Sequence, residues 1–142
     1  MFSKLFFVFK FKGLDLVKAI FTIYIFGFSY GTINHVIDIH RDGLLGYDYV
    51  PFVINIYWTT LTVLDPLAII LLLFFPFPGM ALSVLIMITD LAVNISVTLY
   101  YFFHTSALSD GRLFLQIAFG LFVFFTVPLA WKRISGQLRG IR

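Results

Sequence analysis

The chain has 142 residues, 61% of them hydrophobic, 20% aromatic and only 12% charged. A globular domain carries roughly a quarter charged residues, so too few polar side chains are present to cover a water-facing surface, and a soluble enzyme is excluded; the mean hydropathy of +0.99 agrees. The charge set is ten Lys and Arg against seven acids, every one an Asp, with a net charge of +3, so each Asp inside an apolar run needs its own explanation.

In chain order, the opening run from Phe2 to Lys12 is short, aromatic and basic and suits the membrane interface plane. No small-residue cleavage pattern of a signal peptide follows the first apolar run, which ends in Asn34-His35-Val36-Ile37-Asp38. Four apolar stretches are expected at 19–37, 52–75, 79–103 and 113–131. Each is long enough, at about 20 residues, to cross roughly 30 Å of hydrocarbon as a helix, the form that satisfies its own backbone hydrogen bonds there. Arg41-Asp42-Gly43 with Gly46-Tyr47-Asp48, then Pro76-Phe77-Pro78-Gly79, then Ser106 to Arg112 are turn compositions between them. Pro51 fits the first turn of span two, and Ser109 or Asp110 can cap span four. The expected fold is an all-α integral membrane protein: a single four-transmembrane-helix bundle over 1–142 in which spans two and three form a tight antiparallel hairpin.

Charge bias sets the orientation. Segment 1–18 holds Lys4, Lys10, Lys12 and Lys18 against Asp15, and the tail holds Lys132, Arg133, Arg139 and Arg142 against no acid. Both termini are therefore expected on the cytoplasmic side of a multi-pass protein of the plasma membrane. The basic pI of 9.3 serves topology and anionic head groups rather than nucleic acid, which is not expected as a partner. The absence of cysteine excludes disulfide and thiol chemistry.

Asp65 falls near the middle of span two and Asp90 near the middle of span three. A charged carboxylate at that depth costs about 2.5–3.5 kcal/mol on insertion scales, so both are expected to face the bundle interior or a water-filled cavity. They are the candidate catalytic residues, able to hold and pass a proton; a structural hydrogen-bonded pair that fastens the hairpin is the alternative. Around them run polar stripes at helical spacing: Asn94, Thr98 and Tyr101 beyond Asp90; Asn55, Thr59 and Thr62 before Asp65; Tyr30, Asn34 and Asp38 with His35 in span one; and Gln116 in span four. With cytoplasmic termini, Asn34, His35, Asp38, Asn55, Thr59, Asn94, Thr98 and Gln116 lie in the outer half, so a pocket opening outward with the two Asp at its floor is expected, walled in part by Trp58. Asn34, His35, Asp38, Asn55, Trp58, Thr59, Thr62, Asn94, Thr98, Tyr101 and Gln116 are the candidate ligand-binding residues.

Pro66 leaves the Thr62 carbonyl without its helical donor, and Pro128 does the same for Phe124. His35-x-x-Asp38-x-His40 offers imidazole and carboxylate at short spacing, but His40 is expected beyond the helix end, and neither a metal nor another cofactor is expected. His104 suits a solvated outer loop. Gly27-x-x-x-Gly31 permits close helix approach, either within the bundle or as the seam of a homo-oligomer.

Three functions fit these residues. The first is a membrane-embedded binding protein or enzyme for a hydrophobic or amphipathic small molecule. The second is a small proton- or cation-coupled transporter, and the third a structural or accessory subunit without catalysis. Four spans with the two midplane acids Asp65 and Asp90 resemble, in architecture and acid placement, the sterol-isomerase and sigma-2-receptor-like membrane proteins. No sequence motif carries the likeness, which implies proton donation and removal by the carboxyl pair.

Overall fold

Long aliphatic and aromatic runs broken only by turn residues close their backbone hydrogen bonds most simply as helices. The computed structural model describes residues 14–105 and 112–140, the side chains of 101–105 excepted. It contains α1 (Asp15–Asp42), α2 (Phe52–Phe74), α3 (Pro76–Thr105) and α4 (Arg112–Arg139), with no strand among the described residues. All four helices are long and apolar enough to cross a membrane. At 1.5 Å per residue they run about 35–45 Å, longer than a hydrocarbon core.

The helices exceed the expected spans at several ends, for local reasons. Arg41 and Asp42 belong to α1 rather than to the following turn, and so does His40, which was expected beyond the helix end. Pro76, Pro78 and Gly79 are not a loop: they form the first turn of α3, leaving Phe75 alone between α2 and α3. Proline is tolerated in a first turn because those amides have no partner within the helix. Gly79 is required there, since a Cβ would lie 2.5 Å from the Leu72 amide nitrogen of α2. Pro51 stands one position before α2, and α2 and α4 continue through Pro66 and Pro128. The expected interfacial segment 1–13 and the caps Ser109 and Asp110 lie outside the described residues.

Each helix packs on its chain neighbour, and α1 closes the ring on α4. The Tyr24 hydroxyl of α1 donates to the Val123 carbonyl at 3.2 Å and shares a hydrogen bond with Thr126 at 2.8 Å, while Phe28, one turn on, packs edge-on against Phe119. Ascending α1 thus descends α4, so α1 starts and α4 ends at the same end of the bundle. That end is filled: Val17, Phe21, Tyr24, Leu72, Met80, Val123 and Ala130 are fully buried. Toward the opposite end the described residues border a cavity, and most of the polar stripe residues converge on it.

Candidate functional site

A cavity of about 680 Å³ is lined by all four helices and by the connection between α1 and α2. Nine of the residues expected from the sequence line it: Asn34, His35, Asp38, Trp58, Asp65, Asp90, Asn94, Thr98 and Gln116. Helical spacing explains the convergence, because side chains three or four apart share one face and the four faces meet.

The two acids differ sharply in environment. Asp90 is held from both sides: Asn94 Nδ2 donates to Oδ1 at 2.7 Å, and Gln116 Nε2 of α4 donates to Oδ2. Asp65, only 4% exposed, has no hydrogen-bond partner among the described residues and borders the cavity. It abuts Gly31 of α1, where a Cβ would lie 2.5 Å from Oδ2. Gly27, one turn earlier, is covered by the Phe119 ring. Both glycines of the small-residue pair therefore serve contacts within the chain.

Asp65 and Asp90 do not form the cavity floor. Gly27, Ile86, Met87 and Phe119, one helical turn farther in, also line it, so the acids are a polar belt above an apolar recess. The cavity also opens sideways between α1 and α4. Ile23, Phe26 and Tyr30 of α1 and Leu115 of α4 line it while remaining 46%, 73%, 54% and 58% exposed.

At the end near the α1–α2 connection, His35 and Asp38 are joined through Tyr47, which sequence inspection placed only in a turn. The Tyr47 hydroxyl donates to Asp38 Oδ2 at 3.0 Å and lies 3.3 Å from His35 Nδ1. With the phenol proton committed to Asp38, His35 Nδ1 is assigned as the donor to the phenol oxygen. Burial and the adjacent Asp38 carboxylate push the Tyr47 phenol above its ordinary range. Asp38 also faces Arg41 at 3.7 Å, although Arg41 forks more closely onto Asp42. Tyr47, Tyr49 and Trp58 form a ring cluster on this wall, with centroids 5.0–6.4 Å apart. Arg112, the first residue of α4, also lines the cavity.

Asn55, Thr59 and Thr62 are not among the cavity-lining residues. Asn55 Nδ2 instead donates to the Leu45 carbonyl at 2.7 Å, and Thr59 turns back onto the Asn55 carbonyl at 2.9 Å. The Thr62 hydroxyl is buried without a partner among the described residues, as is Asn55 Oδ1. The side chains of Tyr101 and His104 lie outside the described residues. Of the residues that sequence inspection missed, Tyr47 and Tyr49 carried one signal: aromatic residues in a Gly- and Asp-rich turn beside a polar span end.

No protein-family model matches the chain, and neither does any curated protein or solved structure.

Proposed function

We propose that this chain is an integral protein of the plasma membrane, with both termini cytoplasmic, that binds a hydrophobic or amphipathic small molecule in the cavity between its helices. The observation that carries this reading is the unpartnered Asp65 carboxyl group, buried at the edge of a cavity whose other acid is already held by two amides. The Asp65 carboxyl group borders the cavity, where a ligand's polar or cationic group would supply the hydrogen bond that none of the described residues makes. The cavity volume falls within the roughly 300–1,000 Å³ of small-molecule sites, and the apolar recess beyond the acids suits a hydrocarbon body. The side opening between α1 and α4 gives such a molecule a path from the bilayer.

The asymmetry also divides the chemistry. Both oxygens of Asp90 accept, so Asp90 acts as a fixed acceptor and counter-charge. The Asp65 carboxyl group, which no other group holds, is the one free to give or take a proton at a bound ligand. The test is native mass spectrometry of protein released from its own membranes. Wild type is expected to carry a co-purifying small molecule that Asp65→Asn loses, whereas equal retention by both would refute the site. The alternative of proton- or cation-coupled transport predicts flux in sealed vesicles that vanishes in both D65N and D90N.

A further inference from the structure

The connection between α1 and α2 borders the polar end of the cavity through Tyr47 and Tyr49, and side chains rather than backbone bonds hold it against the bundle. Within residues 43–51 the backbone bonds are local: Gly43 N–H to the Ile39 carbonyl, Gly46 N–H to Gly43 and Val50 N–H to Tyr47. Side chains tie it to the helices. The Tyr47 hydroxyl donates to Asp38 of α1 and accepts from His35, Asn55 of α2 donates to the Leu45 carbonyl, the Tyr47 and Tyr49 rings pack against Trp58, and Tyr47 and Val50 are buried. Two residues at its start occupy the left-handed region: Gly43 at φ 88° and Leu45 at φ 59°. Glycine adopts that conformation freely, but leucine does so against the clash of its Cβ. The strain at Leu45 persists only while something holds it, and the Asn55 bond acts on that same residue. The Tyr47 attachment is made to two cavity-lining side chains, Asp38 and His35, so a molecule in the cavity and the closed connection draw on the same polar groups.

We infer that residues 43–51 are a lid, latched by Tyr47–Asp38 and Asn55–Leu45, that closes the cavity to the aqueous phase at this end. Leu45 is a sprung hinge that favours opening once the latch is broken. The lid does not depend on which molecule the cavity binds, although a ligand that takes Asp38 or His35 competes with the latch. Exchange with the bilayer runs through the α1–α4 opening, and exchange with water requires the latch to release.

The absence of cysteine from the chain makes the test direct. Met87→Cys places one thiol in the apolar recess beyond the acids. Its reaction with a charged, membrane-impermeant thiosulfonate, applied to protein in vesicles, measures aqueous access. Tyr47→Phe with Asn55→Ala is expected to raise that rate at least about tenfold, the factor expected from removing the three hydrogen bonds these side chains make in the closed state. An uncharged, lipid-soluble maleimide should react with both proteins at the same rate, which shows the fold intact. A change below about twofold with the charged reagent, in a variant that retains its fold, overturns the lid. Leu45→Asn guards against a misfolded double variant. Asparagine tolerates the left-handed conformation, so it is expected to slow the charged reagent, and an unchanged or faster rate counts against the lid.

Discussion

Gly31→Ala probes the contact that sets the Asp65 carboxyl group in place. The new methyl carbon would lie 2.5 Å from Asp65 Oδ2 and 3.6 Å from Cγ, so the oxygen must move by roughly 1 Å to reach ordinary van der Waals separation. Inserting a methyl group into a filled core costs about 1–3 kcal/mol. Here the obstacle is the end of a side chain that no hydrogen bond holds, beside a cavity that can receive it. The loss of stability should therefore stay near that of an off-rotamer side chain, about 0.5–1.5 kcal/mol. Displacement of a reacting group by 1 Å can cost up to about 100-fold in rate or affinity, so function should suffer more than the fold. Two measurements separate these effects: thermal unfolding in detergent, and labelling by a lipid-soluble carbodiimide, which adds to carboxyl groups and is located by peptide mass mapping. Gly31→Ala is expected to unfold slightly earlier and to change the labelling of Asp65 while leaving Asp90 unchanged. A stability loss above about 3 kcal/mol, beyond the usual overpacking range, or identical labelling of Asp65, would refute a carboxyl group that is positioned by Gly31 and otherwise free.

Other expectations follow from the same contacts. Gly79→Ala meets the backbone of α2 at Leu72, which cannot turn aside, so thermal unfolding should show a loss at or above the upper part of the 1–3 kcal/mol overpacking range. Gly136→Ala, with nothing within 4 Å of its Cβ in the last turns of α4, should raise stability by up to about 1 kcal/mol through helix propensity. Gln116→Leu removes one of the two Asp90 donors, a hydrogen bond to a carboxylate worth about 1.5–3 kcal/mol. Carbodiimide labelling should then appear at Asp90, and Gln116→Glu should not restore the wild-type pattern. Tyr47 contributes to stability through its protonated phenol. Because its folded-state value is raised above the ordinary 10.0, the contribution is complete below about pH 10 and is lost as pH rises through the folded-state value. An ultraviolet difference titration of wild type against Tyr47→Phe should show that the tyrosine lost in the variant ionises above the ordinary range.

The four helices were legible because composition and turn residues are strong signals at this length. Their ends were not. Pro76 and Pro78 read as loop residues, yet a first helical turn accommodates proline as readily as a loop does. The convergence of Asp65, Asp90, Asn94, Thr98, Gln116 and Asn34 followed from three- and four-residue spacing alone. Periodicity did not reveal which face of α2 turned inward at each level. Asn55, Thr59 and Thr62 share a stripe with Asp65, but the first is taken by the Leu45 carbonyl and the second by its own helix. Tyr47 was hidden because its role depends on a connection folding back over the bundle, a long-range feature that no spacing encodes. The inequality of the acids was hidden for the same reason, since the Gln116 contact joins α3 to α4 and depends on how the two helices pack.

The most direct test is a high-resolution density map of the protein in a lipid bilayer, inspected between Asp65, Asp90 and Met87. Density for an elongated molecule with its polar end at Asp65 and its body toward Met87 and Phe119 is the expected result. Asp65 turned out toward lipid, or a recess closed by side chains with no space between the two acids, would contradict a binding site at this position.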